Sequence, residues 1–258
     1  IMTAGNLATT QCLVSLLDER SKTPEDRDPS ILKVSSMFQV AKLIGDTLRE
    51  IILDTSPTGL SGDSSFSANI ILGGQIKGGQ QRLFLIYPEG NFIEASEDTP
   101  FFQSGETKYG RPILVRAFDR NMTFEDAVKL LMVSFDSTLK ANLSVGLPLD
   151  LQIYERDSLT KGMEKRFESY DPYYLKISEG WSTALKEKRP RSAFTYTKEG
   201  DESRSTAPLP WPSAEAERRR RLSTRSHRTF DVHWTGYGHV ILFRNFLATC
   251  TNVWSGIT

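Results

Sequence analysis

Histidine is nearly missing from this 258-residue sequence: the three present are His227, His233 and His239, and residues 1 to 226 contain none. A Ser-His-Asp or Cys-His nucleophile and a histidine-ligated metal are therefore excluded from that stretch. Cysteine is almost as scarce. Cys12 and Cys250 have neither metal nor redox spacing, so reduced structural thiols are expected, and nothing calls for a cofactor or a metal. Long apolar runs are lacking too. The longest, such as Val240-Ile241-Leu242-Phe243, fall far short of the roughly 20 residues that cross a bilayer. No signal-peptide pattern precedes Gly5, and a cytoplasmic chain with no membrane partner is the expectation.

A formal net charge of zero conceals an asymmetry. Residues 188 to 258 carry 12 Lys+Arg against 6 Asp+Glu, leaving 20 against 26 in the residues before them. Nucleic acid demands a positive surface, so the acidic part argues against such a partner, and any case for one rests on the basic end. With 38% hydrophobic residues the chain has enough apolar material for a sizeable core.

The opening Ile1 to Val14 reads as the end of a strand passing directly into a helix, with Leu7, Val14 and Leu17 at helical spacing. Asp18 to Ser30, with Pro24 and Pro29, reads as a connection. Val34, Met37, Phe38, Ala41, Ile44, Leu48, Ile51 and Ile52 then predict an amphipathic helix of about five turns. Strands are predicted over Phe66 to Leu72, Gln80 to Tyr87 and Asn91 to Ala95, the last two joined through Pro88-Glu89-Gly90. Gly73 to Gly79 lacks the order of a phosphate loop and reads as an inter-strand turn. Thr123 is placed to cap a helix whose apolar face is Phe124, Ala127, Val128, Leu131, Phe135 and Leu139. Leu147 to Tyr154 alternates as a strand, and Asp171-Pro172 opens a helix ending near Glu187. Helix pairs separated by mostly antiparallel strand runs make the class α+β, with two sheets packed face to face under helices.

Three segments stand out together: Ala4-Gly5-Asn6-Leu7-Ala8, Gln103-Ser104-Gly105-Glu106-Thr107-Lys108-Tyr109-Gly110, and Asn142-Leu143-Ser144-Val145-Gly146-Leu147-Pro148. In their order, and with Asp136-Ser137-Thr138 ahead of the last, they resemble the proteasome β-subunit superfamily, in particular the bacterial ancestral-beta-subunit (Anbu) proteasome-type peptidases. The resemblance spans roughly residues 2 to 187. It implies a four-layer αββα sandwich of N-terminal-nucleophile hydrolase type and a threonine-type endopeptidase acting on peptides or unfolded proteins. It also implies homo-oligomers, either rings or helical stacks.

In such a peptidase the hydroxyl of an N-terminal Thr attacks while its own α-amine serves as base. The resemblance implies that the Gly5 amide is the oxyanion donor and that Thr3 and Leu7 flank the substrate pocket. Ser104 and Ser144 match the hydroxyls that surround the nucleophile's amine. Three residues before Ser144, where proteasome subunits carry Asp, this sequence has Ala141. Asn142 beside it offers an amide oxygen as acceptor but no charge. A turn or cap role for Ser104 and Ser144 is the alternative.

By the same resemblance the attacking Thr and its activating Asp and Lys belong on strands ahead of Gly5. The sequence is accordingly expected to be an N-terminally truncated piece, inactive by itself, with missing first strands. Residues 1 to 187 are expected to form a partial peptidase domain. Residues 188 to 258, with Arg218-Arg219-Arg220-Arg221, are expected to be a basic tail, disordered or arising from a reading-frame shift. The competing reading of the whole chain is a non-catalytic interaction protein whose basic tail binds nucleic acid or acidic partners.

Overall fold

The structure is a computed structural model and describes residues 1–22, 29–55, 66–188, 236–243 and 246–251, the last two stretches as backbone only. Strands β1 (Met2–Gly5), β2 (Ala68–Gly74), β3 (Arg82–Ile86) and β4 (Phe92–Glu94) form an antiparallel sheet in that order. The three strands predicted beyond residue 66 are present; of the Gly73 to Gly79 stretch expected to turn, Gly73 and Gly74 still belong to β2, opposite Leu83 and Arg82, and the turn begins at Gln75, with Gly79 N–H donating to Ile76 O at 2.8 Å. Helices α1 (Leu7–Lys22) and α2 (Met37–Thr55) accompany this sheet.

The apolar pattern explains the arrangement. Along β2, Ile70 and Leu72 pack with Leu13, Leu17, Ile44 and Leu48 of the two helices, while Ile71 between them belongs to a separate cluster with Met2, Leu83 and Phe102. Strand residues alternate faces, so an unbroken apolar run identifies a strand covered on both sides. Each fully buried Ile or Leu contributes about 1.5–3 kcal/mol. α1 extends beyond the expected break at Asp18. Its charged last turns keep to the solvent side: Lys22 pairs with Asp18, and Arg20 Nη1 donates to Thr47 Oγ1 of α2 at 3.1 Å.

The second sheet has the order β5 (Phe101–Ser104), β9 (Phe246–Thr251), β8 (Gly236–Phe243), β6 (Val145–Tyr154) and β7 (Met163–Phe167). It is mixed, since β5 runs parallel to β9 and β6 parallel to β8. Strands β5 and β7 are short and were not anticipated from the sequence. Nor were β8 and β9, which lie within the stretch expected to be an appended tail. The run Val240-Ile241-Leu242-Phe243 is a β-branched apolar segment of strand length, and its backbone joins this sheet. Arg218 to Arg221 lie outside the described residues. Residues Ile1–Trp181 and Thr235–Thr258 make up one unit, while Ser182–Trp234 divides off as another.

Helices α3 (Arg111–Ala117), α4 (Phe124–Ala141) and α5 (Pro172–Glu187) accompany the second sheet. Thr123 caps α4 as expected, its hydroxyl accepting from Asp126 N at 3.1 Å. Leu114, Leu131, Met132, Phe135, Leu149, Leu151 and Phe167 form a third buried cluster. Within it, Asp136 is 1% exposed, and its carboxylate accepts from Tyr174 Oη at 3.1 Å and from Lys140 Nζ at 2.9 Å. Lys140 also donates to Ser178 Oγ, so one buried acid joins α4 to α5. No helix among the described residues is long and apolar enough to cross a membrane.

Replacing Asp136 with Ala removes the acceptor at the centre of this network, and urea denaturation is expected to show a loss of about 2–4 kcal/mol. Burial, and then the Asp136 charge, push the Tyr174 phenol well above its ordinary range. A phenol raised in the folded state supports folding fully below the unfolded value near 10, and that support is lost as pH rises past it, because the unfolded chain ionises first. Wild-type stability should therefore fall more steeply above about pH 10 than that of Tyr174→Phe. Parallel pH curves for the two proteins would contradict this.

Candidate functional site

Gly5 closes β1 opposite Ala68, at a point where the chain turns from strand to helix within one residue. Its φ is +122°, and a Cβ there would lie 2.3 Å from Ser67 O, so only glycine fits. The turn is secured by Asn6, whose N–H donates to Ser67 O at 2.9 Å and whose Oδ1 accepts from Thr9 N at 2.9 Å, capping α1. Gly5 is exposed, and Leu7 in the first turn of α1 is 42% exposed. Thr3 is 1% exposed within β1, opposite Ile70.

On the second sheet, β5 ends at Ser104, which is 6% exposed and whose Oγ has no hydrogen-bond partner among the described residues. Gly105 follows at φ +79° and turns the chain so that Glu106 points its carboxylate in two directions. Oε1 accepts from Lys108 N at 2.9 Å, and Oε2 accepts from Asn142 Nδ2 at 2.8 Å. The loop can lie this close to α4 because Gly110 has no side chain: a Cβ there would stand 2.4 Å from Ser134 Oγ.

Asn142 is the C-cap of α4, its N–H donating to Thr138 O at 2.8 Å. Its Oδ1 accepts from both Ser144 N at 2.9 Å and Ser144 Oγ at 2.8 Å. The amide's orientation is settled by its neighbours, since a backbone N–H can only donate and a carboxylate only accept. The chain Glu106–Asn142–Ser144 thus joins the turn after β5 to the turn before β6. It is also an Asx turn, the turn role given as the alternative for Ser144.

The structure therefore brings Asn142 and Ser144 together and places Ser104 two residues from their partner Glu106. Gly5, Thr3 and Leu7 stand on the first sheet and its helix. Strand β1 lies across from β9, the neighbour of β5. The Asn142 amide oxygen is an acceptor, and its donors are both from Ser144. Ala141, by contrast, is an exposed residue ending α4. What the sequence reading did not supply is Glu106, which it recognised only as part of a motif. Its partner is 36 residues away, and no local pattern signals such a pairing.

The chain is similar to several solved structures. It shares 44% identity with Anbu (ancestral beta-subunit) from Yersinia bercovieri, over 73% of this chain and 78% of that one, with a TM-score of 0.66. With Anbu from Hyphomicrobium sp. strain MC1 it shares 47% identity over 78% and 80% of the two chains, with a TM-score of 0.64. With the chain in a helical assembly of the Anbu complex from Pseudomonas aeruginosa it shares 39% over 75% and 80%, with a TM-score of 0.65. No family model and no curated protein matches the sequence.

The Asn142–Glu106 contact makes a specific prediction. Asn142→Asp sets a second carboxylate against Glu106, and two carboxylates in contact cannot both ionise, so one pKa must rise in the folded protein. A raised carboxyl pKa gives support at low pH that is lost as pH rises. The variant is therefore expected to be about 1–2 kcal/mol less stable than wild type at pH 8, with the gap closing toward pH 4. A gap independent of pH in urea titrations would show that the two groups do not face each other.

Proposed function

Because the chain belongs to the Anbu (ancestral beta-subunit) family, we propose that it is a proteasome-type subunit whose site, built around Gly5, Ser104, Asn142 and Ser144, serves threonine-type hydrolysis of peptide bonds. In this reading the three buried clusters are the seams of a four-layer αββα sandwich of N-terminal-nucleophile type. The Gly5 amide is the oxyanion donor, at a strand-to-helix turn that only glycine can make. Leu7 and Thr3 form the wall of the substrate pocket.

The attacking group is a threonine hydroxyl whose own α-amine, with a pKa of about 7.7–8.0, takes up the proton without a histidine. Thr3 does not fit that role, because it is buried in the ladder of β1 opposite Ile70. The amine, once protonated, needs acceptors. Ser144 Oγ and the unpartnered Ser104 Oγ supply them, with the charge of Glu106 reaching Ser144 through Asn142. This Glu106–Asn142–Ser144 chain is the observation that carries the proposal. Substrates are peptides or unfolded protein segments. Assembly into homo-oligomers is supported by the helical assembly of the Pseudomonas aeruginosa relative and by Phe38 and Leu53, exposed on α2.

The test is cleavage of fluorogenic peptides by the protein made from its complete reading frame. Asn142→Ala and Ser144→Ala are each expected to lower kcat/KM about tenfold or more while leaving the far-ultraviolet spectrum unchanged, the magnitude typical of groups that support acid–base steps. Asn142→Asp is expected to retain more activity than Asn142→Ala. Cleavage indifferent to both alanine variants, or absent from the intact protein, would defeat the proposal.

A further inference from the structure

We propose that a basic concavity beside the site, on the outer side of α3, receives the acidic side chain of a bound peptide; this rests on the peptide-hydrolase reading of the adjoining turn. The concavity has a volume of about 330 Å³ and is lined by Thr107, Lys108, Arg111, Pro112, Val115 and Arg116. Three of its six lining residues are cations and none is an acid. Among the described residues no salt bridge engages Lys108, Arg111 or Arg116. The nearest carboxylate in sequence, Glu106, is already committed to Asn142 Nδ2 and Lys108 N.

The arrangement follows from the helix. Leu114 is the one buried residue of α3 and fixes which side faces the core, leaving Arg111, Pro112, Val115 and Arg116 exposed around it, with Val115 62% exposed. Lys108, just ahead of the helix, lies over the Tyr109 ring at 5.8 Å. In a stretch with more acids than bases, three uncompensated cations within nine residues reverse the local field and attract an anion. Thr107 adds a neutral hydroxyl donor, while Pro112 and Val115 offer apolar surface to the methylenes of a glutamate. A single small anion would leave those last two residues without a role. Thr107 follows Glu106 directly. Arg111 N–H donates to Thr107 O at 3.0 Å, so the concavity adjoins the turn that carries Ser104 and Glu106.

The experiment uses fluorescein-labelled peptides that differ only in carrying Glu, Gln or Lys at the same positions, bound to the full-length protein and followed by anisotropy. At low ionic strength the Glu peptide is expected to bind about tenfold more tightly than the Gln peptide, with the preference shrinking as salt is added. Lys108→Gln, Arg111→Gln and Arg116→Gln should each reduce the preference about twofold to fourfold, and the triple variant should abolish it. Arg111→Glu should shift the preference toward the Lys peptide. Equal binding of Glu and Gln peptides, or a preference that survives in a folded triple variant, overturns the inference. Displacement of the Glu peptide by micromolar inorganic phosphate assigns the concavity to phosphate and overturns it too. Hydrolysis followed in parallel separates the two readings. Acidic preference without any cleavage leaves the concavity assigned and defeats the peptidase reading, whereas cleavage without acidic preference does the reverse.

Discussion

The architecture depends on two strands that must be covered on both faces. In β2 and β3 consecutive residues, Ile70 beside Ile71 and Leu83 beside Phe84, are each at most 1% exposed and point to opposite sides of the sheet. No arrangement of one sheet with water on one side satisfies them. Helices α1 and α2 must therefore cover one face, while Phe102 of β5 and Tyr154 of β6 pack against the other. Once that is fixed, the ends of β1 and β5 are fixed as well, and those ends carry Gly5 and Ser104. The candidate site is thus a by-product of core packing: its residues occupy points where buried strands stop.

Much of this was legible from residue order alone. Alternation and helical periodicity are local signals, and they recovered α2, α4, α5, β2, β3, β4 and most of β6. The cap at Thr123 was readable because a cap is a contact over three residues. The short elements β5, α3 and β7 were not. Four to seven residues give too few repeats for a period, and β7 has four exposed positions in a row followed by Phe167. The parallel pairing of β6 with β8 joins segments about ninety residues apart in sequence. Chain closure over such distances leaves no compositional trace, which is why an apolar stretch near the C-terminus was read as part of a tail.

The site shows the same division. Glycine at position 5 stood out in the sequence only through the family resemblance, and the clash of a Cβ with Ser67 O is the steric reason that the structure adds. Asn142 and Ser144 likewise stood out through the resemblance, as members of the segment 142–148. Glu106 acquires meaning only when the loop of 104–110 is laid on α4. That placement depends on Gly110 meeting Ser134, a contact between side chain and backbone that no pattern of polarity encodes.

The position of the negative charge has a mechanistic consequence. In the proposed site an amine held near Ser144 meets a neutral amide first and the Glu106 carboxylate only behind it. Moving a unit charge back by the width of one amide lowers its Coulomb effect by about half at constant dielectric. Compensation comes from order. Both ends of the Asn142 side chain are committed, its oxygen to two donors from Ser144 and its nitrogen to Glu106. The amide dipole therefore cannot turn away when a positive charge arrives, and the carboxylate polarises it in the direction that makes its oxygen the better acceptor. A rigid, pre-aligned dipole costs nothing to orient at the moment of reaction. The same weaker field leaves the amine less firmly protonated at neutral pH, which favours its work as a base.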